Sequence, residues 1–199
     1  RIIVSAGTNR MYTEEYIQSV LEKAEAGDFV LLQNEINMVG EIIRLSHEKG
    51  CRVVFNASPI PKNPEELPLE LVDIFMVNEL EAAALAGTSA EGDFRDILKA
   101  LQKKYPKAAI VMTLGKDGVL YGYKEEFYSH PIFKVNAVDT TAAGDTFCGY
   151  FLAALCAGKS VEMALREASA ASAMAVSAKG AAPSIPVHSA MEEWLRGRS

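Results

Sequence analysis

Short β-rich runs alternate with helical stretches along most of this chain, and that rhythm restricts the folds open to it. Each run of Val, Ile, Phe and Leu predicts a strand, and apolar residues at helical spacing follow it. One strand and one helix in about 25 to 35 residues is the length that a parallel crossover needs. The predicted strands are residues 2–5, 29–33, 53–56, 74–77 and 109–113, and the predicted helices are residues 14–26, 37–49, 78–86 and 93–104.

The rhythm changes after the last of these strands. Residues 119–123 and 127–135 predict an antiparallel pair, and two Ala-rich helices follow at residues 144–157 and 161–178. With 49% hydrophobic and 23% charged residues, the chain has enough apolar side chains for one core. We therefore predict an α/β fold in a single domain, residues 1–199, with a three-layer, doubly wound, mostly parallel sheet and flanking helices.

The charge and the cysteine content argue against several classes of protein. A net charge of −6 with no basic run disfavours binding to nucleic acids or to membrane surfaces. The odd number of cysteines, Cys51, Cys148 and Cys156, indicates reduced packing residues rather than disulfides. No run approaches about 18 apolar residues, and Arg1 opens no signal peptide. We expect a cytoplasmic protein.

Residues 139–147, DTTAAGDTF, place two carboxylates six residues apart around small residues that open onto a helix. The first amides of a helix lack intrahelical partners and, with the helix dipole, attract anions. Asp145 would lie in the first turn, where a carboxylate can accept the proton of an attacking alcohol. The alternative is that Asp139 closes a turn and Asp145 only caps the helix. Three residues have no side chain large enough to exclude a phosphate: Ala142, Ala143 and Gly144.

Polar or Gly-rich residues follow four of the predicted strands. In a parallel sheet, ligands bind beyond the carboxyl ends of the strands, so these residues point to one crevice. Each also has a simpler explanation: Asn78 could be only a helix N-cap, and the two glycines of residues 113–118 only a turn. The residues concerned are Glu35, Asn56, Asn78 and 113–118.

Two further patterns do not indicate sites. Gly158-Lys159-Ser160 is similar to the end of a Walker A loop, but a helical segment precedes it where that loop needs a strand. It predicts a connection between helices. The histidines, His47, His130 and His188, lack any metal-ligand spacing, which disfavours a zinc site.

Several motifs together resemble one family. DTTAAGDTF, preceded by FKVNAV, resembles the C-terminal signature of the ribokinase-like (PfkB) carbohydrate kinases. Residues 78–81, NELE, are similar to the N-x-x-E element of that family, and residues 113–118, TLGKDG, to its T-x-G-x-x-G nucleotide loop. Residues 55–59, FNASP, resemble its N-P-A-P turn but carry Ala-Ser between Asn and Pro. Residues 179–184, KGAAPS, also follow the family pattern.

The resemblance implies that this chain is the C-terminal two-thirds of such a kinase, with the N-terminal part and lid missing. It implies that Asp145 is the general base, that Ala142, Ala143 and Gly144 form the anion hole, and that Glu35 contacts the sugar. The implied ATP and Mg²⁺ residues are Asn78, Glu81, Thr113, Gly115, Lys116, Gly118 and Ser169, the last standing where some relatives have His. The implied K⁺ ligands are Asp139, Thr141, Ala175, Ala178, Gly180 and Ser184.

The function that the resemblance implies is ATP-dependent phosphoryl transfer to a primary hydroxyl of a sugar. D-ribose, giving ribose 5-phosphate, is the leading acceptor, and another sugar or a nucleoside is the alternative, as in fructokinase or adenosine kinase. A second alternative is a catalytically incompetent remnant that binds only nucleotide. The expected partners are small molecules, neither nucleic acid nor membrane, and the full-length protein could form a homodimer.

Overall fold

The computed structural model describes residues 5–198, so the strand predicted at residues 2–5 lies outside the described residues except for Ser5. Within that range the chain forms seven α-helices and six strands. In chain order they are α1 (Glu14–Leu21), β1 (Phe29–Gln33), α2 (Val39–Glu48), β2 (Arg52–Asn56), β3 (Ile74–Asn78), α3 (Glu79–Ala86), α4 (Phe94–Lys104), β4 (Ala109–Thr113), β5 (Val119–Tyr123), β6 (Glu126–His130), α5 (Ala143–Cys156), α6 (Val161–Val176) and α7 (His188–Arg196).

The strands form one six-stranded sheet whose order follows the chain, from β1 to β6. β1 runs parallel to β2, with Phe29 opposite Arg52, and β2 runs parallel to β3, with Val54 opposite Ile74. β5 and β6 are neighbours joined by only two residues, so they form an antiparallel hairpin. The sheet is therefore mixed, and the predicted α/β class with flanking helices is confirmed.

The chain separates into two compact units, and the first contains the chain up to Met112 with the segment Gly122–Glu126. Its core is built on β2 and β3. Phe55 and Phe75 are fully buried, with ring centroids 6.4 Å apart, and the Phe75 ring lies 4.9 Å from that of Tyr105. Each such side chain contributes roughly 1.5–3 kcal/mol by leaving water. This burial accounts for the continuous apolar runs by which these strands were predicted.

The second unit contains Thr113–Tyr121 and the chain from Phe127 onward. Its centre is the pair of helices α5 and α6. The alanines of α6 let the helix axes approach closely, because a methyl group occupies little space between helices. The buried alanines of α6 are Ala164, Ala168, Ala170, Ala171, Ala173 and Ala175. Met191 and Leu195 bring α7 onto α6, and Phe133 and Trp194 pack against this cluster.

Most predicted elements are present, and the differences lie at their ends. The strand predicted at 127–135 ends at His130, because Pro131 has no amide to donate to the sheet. The helix predicted at 14–26 ends at Leu21, and α7 was not predicted. Cys156 is exposed, so the expectation that all three cysteines are packing residues is wrong for this one.

The Gly158-Lys159-Ser160 segment connects α5 to α6, as predicted. The Ser160 hydroxyl accepts a hydrogen bond from the Met163 amide and caps α6. Lys159 Nζ lies 2.7 and 2.9 Å from the two carboxylate oxygens of Glu167. The Glu167 side chain is only 9% exposed, so this ion pair neutralises a buried charge.

We expect Lys159→Met to lower the free energy of unfolding by about 3 kcal/mol, because the buried Glu167 carboxylate then has only the exposed His188, 4.0 Å away, as a charged neighbour. The double variant Lys159→Met, Glu167→Leu should regain most of that loss. Urea unfolding measures both. Arg44→Met is the control, because it removes the surface pairs of Arg44 with Glu41 and Glu48 and should cost less than about 1 kcal/mol. Equal losses in the two single variants would contradict this account.

Candidate functional site

Helix α5 begins without a side-chain cap from its N-cap residue. Its N-cap residue is Ala142, which makes no side-chain capping bond, and open space surrounds the position of a Cβ at Gly144. The Ala143 amide donates to the Thr140 carbonyl oxygen at 3.2 Å. The anion hole predicted at residues 142–144 therefore has one of its amides engaged in this conformation. Asp145 lies in the first turn and is exposed, as predicted.

Helix α6 fixes the start of α5 through a residue that the sequence analysis missed. The Ser172 hydroxyl donates to the carbonyl oxygen of Ala143 at 3.0 Å. Ser172 lies one turn beyond Ser169, which is half-buried on α6. The signal in the sequence was two serines three residues apart in an otherwise Ala-rich helix, because residues at that spacing share a face.

The Asp139 carboxylate joins two segments of the second unit. One oxygen accepts hydrogen bonds from the Thr141 hydroxyl and, at 3.0 Å, from the Thr141 amide. The other oxygen accepts from the Gly180 amide at 3.0 Å. These bonds, led by the one from the Thr141 side chain, hold the pKa of Asp139 below its ordinary value. Asp139 thus lies between the loop before α5 and the turn after α6.

Some of the residues predicted to bind K⁺ lie near the end of α6. The helix was expected to leave carbonyls open near residues 178–180, but it ends at Val176. The Val176 carbonyl oxygen accepts from the amides of Val138 and Asp139 at 2.7 and 3.1 Å. The Ala175 carbonyl accepts from the Ala178 amide at 3.1 Å.

Ser184 completes the predicted cation ligands. It is buried, and its hydroxyl donates to the Ala181 carbonyl oxygen at 2.7 Å. Asp139 accepts hydrogen bonds from both Thr141 and Gly180, and the predicted ligand atoms are oxygens, as a weakly hydrated cation needs. The predicted donor set therefore fits K⁺.

The predicted nucleotide loop is a tight turn between β4 and β5. Residues Gly115–Asp117 form a 3-10 turn, and the Leu114 amide donates to the Gly118 carbonyl oxygen at 2.8 Å. Gly118 has φ of +94°, and a Cβ there would lie 2.2 Å from the carbonyl oxygen of His130. Only glycine fits this position. Lys116 is exposed on the turn, and Thr113 is half-buried at the end of β4.

In the first unit, Asn78 and Glu81 form a reciprocal capping box at the start of α3. The Asn78 side chain accepts from the Glu81 amide at 2.8 Å, and the Glu81 carboxylate accepts from the Asn78 amide at 2.9 Å. Asn78 is thus the N-cap that the alternative explanation named. Glu81 is 7% exposed, so it is a buried residue and not a solvated one on the helix surface.

Glu35 is exposed in the turn after β1. The neighbouring Asn34 holds this turn to the segment after β2, because its amide donates to the Ser58 carbonyl and its side chain to the Pro59 carbonyl, at 3.0 and 2.9 Å. The structure therefore places the ends of β1 and β2 side by side, as the parallel register requires.

A cavity of about 400 Å³ lies along α5 in the second unit. Asp145 and Thr146 line it at the start of the helix, and Lys159 and Glu167 line it near the other end. Small residues of α5 form one wall: Gly149, Ala153, Ala154 and Ala157. Burial, with a contribution from Glu167, raises the pKa of Tyr150, whose hydroxyl donates to the Pro186 carbonyl oxygen at 2.6 Å.

Two features that residues 5–198 lack bear on the site. No group of three or more His, Cys, Asp or Glu side chains in that range is arranged to hold a metal ion. None of the helices described there combines the length and the apolar character needed to cross a bilayer.

Comparisons with known protein sequences agree with the motifs. The profile of the pfkB family carbohydrate kinases matches residues 2–188. The chain is 34% identical to the ribokinase of Haemophilus influenzae and 36% identical to that of Bacillus subtilis, over 98% of its own length in each case. It spans 64% of each of these relatives, which is less than two-thirds of their length.

This chain also resembles solved structures over part of their length. The ribokinase of Thermotoga maritima superposes with a TM-score of 0.83 at 33% identity, over 98% of this chain and 65% of that one. The Arabidopsis thaliana ribokinase complexed with ribose and ATP also gives 0.83, at 30% identity and the same coverage. Since the family profile covers nearly the whole sequence, this chain belongs to the pfkB family of carbohydrate kinases.

Proposed function

We propose that this chain is the nucleotide- and phosphate-binding part of an ATP-dependent kinase that phosphorylates the primary hydroxyl of D-ribose, giving ribose 5-phosphate. The observation that carries the proposal is the start of α5, where Asp145 follows three small residues and the N-cap residue, Ala142, makes no side-chain capping bond. The similarity to a ribokinase complexed with ribose and ATP supports the choice of both substrates. We expect the protein to act in the cytoplasm.

In the proposed reaction, Asp145 accepts the proton of the acceptor hydroxyl as its oxygen attacks the γ-phosphorus of ATP. A bond forms between that oxygen and phosphorus, the bond to the bridging oxygen breaks, and ADP leaves. The amides of Ala142 and Gly144 stabilise the charge that develops on the transferred group, and the Ala143 amide joins them when it leaves the Thr140 carbonyl. The Ser172 hydrogen bond to Ala143 supports this role, because the anion hole must hold its geometry during the reaction.

The nucleotide would bind at residues 113–118 and at Ser169. Gly115 supports this assignment, because no atom lies within 4 Å of the position of a Cβ there, so a phosphate or a ring could approach its backbone closely. Asn78 and Glu81 would hold Mg²⁺ through water, since carboxylate and amide oxygens suit this ion. When bound, Mg²⁺ neutralises charge on the phosphates of ATP.

A K⁺ ion would be held beside the anion hole. Its proposed ligands are Asp139, Thr141, Ala175, Ala178, Gly180 and Ser184. The contact between Asp139 and Gly180 supports the site, because it joins the two segments that supply these oxygens. A cation there would tie the start of α5 to the end of α6 and so stabilise the anion hole.

One alternative is a protein that binds nucleotide without transferring phosphate. A different acceptor, another sugar or a nucleoside, is the other alternative, and Glu35 is the only acceptor contact proposed in the first unit. Incubation with MgATP and a panel of D-ribose, fructose and adenosine, followed by ³¹P NMR, distinguishes the three outcomes.

We expect Asp145→Asn to lower the rate of ribose phosphorylation by at least about 100-fold, because the attacking hydroxyl loses its base. Calorimetry should show that the affinity for a MgATP analogue changes by less than about threefold. Glu162→Gln is the matched control, because Glu162 is the first-turn acid of α6. Turnover that survives in Asp145→Asn would exclude this residue as the base.

Binding of the MgATP analogue should strengthen in K⁺ relative to a bulky organic cation, by about tenfold, as is typical of coupled sites. The variant Asp139→Asn should lose this dependence, since it removes the charge that attracts the cation. Titration calorimetry in the two buffers measures the effect. An equal response to K⁺ in both proteins would remove Asp139 from the proposed ligands.

The pKa of Asp139 is lowered in the folded chain, so its hydrogen bonds stabilise the fold above the unfolded-state pKa of about 4. That stability is lost as the pH falls through the folded pKa. The melting temperature of Asp139→Asn should therefore lie below that of the wild type at pH 7, and the two should converge toward pH 3. The exposed Asp117→Asn is the control, and a constant difference at all pH values would contradict the prediction.

A further inference from the structure

Asp117 and Gly118 form an Asp-Gly pair within the loop of residues 113–118, and this pair occurs nowhere else in the sequence. An aspartate side chain can react with the amide nitrogen of the next residue, and glycine permits this reaction best because it has no side chain beside that nitrogen. Every other aspartate precedes Phe, Ile or Thr, whose bulk hinders the approach. The chain also contains no Asn-Gly pair. The sequence therefore indicates one peptide bond for this chemistry.

The structure holds the two reacting groups only weakly. Asp117 is exposed, and its side chain makes no hydrogen bond or ion pair with another residue of the range 5–198. The Gly118 amide donates to the Gly115 carbonyl oxygen at 3.3 Å, which is longer than a usual bond of this kind. By contrast, hydrogen bonds hold the carboxylates of four other aspartates: Asp28, Asp73, Asp93 and Asp139.

The reaction isomerises the peptide link and needs only water. The Gly118 nitrogen attacks the side-chain carboxyl carbon of Asp117, the carbon–oxygen bond of the protonated carboxyl breaks, and the oxygen leaves as water with the amide proton. The product is a succinimide ring. Water then adds to the main-chain carbonyl carbon of this ring, and the bond from that carbon to nitrogen breaks. The chain is left linked through the side chain, as β-aspartate, with a free carboxylate on the former main-chain carbon.

The modified link does not fit this turn, because it adds one atom to the main chain between Asp117 and Gly118. Gly118 is held on two sides: its carbonyl oxygen accepts from the Leu114 amide at 2.8 Å, and a Cβ on it would lie 2.2 Å from the His130 carbonyl oxygen. A longer main chain must therefore expand at Gly115, where no atom lies within 4 Å of the position of a Cβ. That open side is where a phosphate or a ring of the nucleotide would approach.

We propose that Asp117 is a site of spontaneous modification, at which isomerisation to β-aspartate prevents the loop of residues 113–118 from binding nucleotide. The modification itself follows from the local chemistry of the Asp-Gly pair. Its effect on binding rests on the proposed function, which assigns the nucleotide to this loop. The nucleotide-binding capacity of the protein then declines with its age, in proportion to the modified fraction.

Prolonged incubation in neutral buffer at body temperature, followed by peptide mapping with electron-transfer mass spectrometry, tests the modification. The method separates β-aspartyl from aspartyl peptides of equal mass. We expect Asp117 to convert more than about tenfold faster than Asp96, because Asp96 is also exposed but precedes the β-branched Ile97 in a helix. Equal β-aspartate fractions at the two positions would overturn the proposal.

Two variants of Asp117 serve as chemical controls. Asp117→Glu places the carboxyl group one carbon further from the Gly118 nitrogen, so the succinimide ring cannot form. Asp117→Asn should convert sooner than the wild type, because a neutral amide is attacked more readily than an ionised carboxylate. A wild type that holds no β-aspartate after Asp117→Asn has converted completely would contradict the proposal.

Titration calorimetry with a MgATP analogue measures the effect on the loop, and each protein is compared with its own fresh sample. In the aged wild type, the number of binding sites per chain should fall by the fraction of β-aspartate that the mass spectra show. In aged Asp117→Glu it should stay constant. An unchanged number of sites in a wild-type sample rich in β-aspartate would exclude the effect on nucleotide binding.

The melting temperature separates failure of this inference from failure of the proposed function. A fresh wild type that binds no nucleotide contradicts the proposed function, and the modification is then tested by the mass spectra and the melting temperature. The β-aspartate fraction should melt below the fresh protein, because the Leu114–Gly118 hydrogen bond is lost. Equal melting temperatures would mean that the turn accommodates the additional atom, and the inference would be wrong.

Discussion

The hydrogen bonds of the Asp139 carboxylate decide where the small-residue loop before α5 lies. Small side chains give this loop few packing contacts, and fixing each residue of its backbone costs roughly 1–2 kcal/mol of conformational entropy. Bonds from Thr141 and Gly180 to one carboxylate, with the amides of Val138 and Asp139 on the Val176 carbonyl, offset that cost. The start of α5, and with it Asp145, depends on the end of α6.

Small side chains also explain the close packing of α5 and α6. Alanines on α6 allow the helices to approach, and the Ser172 hydroxyl can then reach the Ala143 carbonyl. The Lys159–Glu167 pair fixes the connection at the far end, where the buried carboxylate would otherwise have only His188 at 4.0 Å. Small residues thus serve two purposes in this unit, because they permit tight packing on one face and leave a cavity on the other.

The first unit shows how a structural explanation and a functional one can apply to the same residues. Asn78 caps α3, and the Glu81 carboxylate returns to the Asn78 amide, so both side chains are held at the end of β3. A fixed carboxylate at a strand end is also what a magnesium–phosphate site requires. The helix cap therefore positions the groups that we propose for binding and does not argue against that role.

The sequence determined the local elements: the strands, the helix caps at Asn78 and Ser160, and the small-residue start of α5, because each depends on neighbours within a few residues. The family also followed from contiguous motifs. The tertiary structure decided which distant groups meet: Ser172 with Ala143, and Asp139 with Gly180. It also left Thr146 without a partner, because hydrogen bonds between distant segments depend on how the helices pack, and no local pattern records that packing.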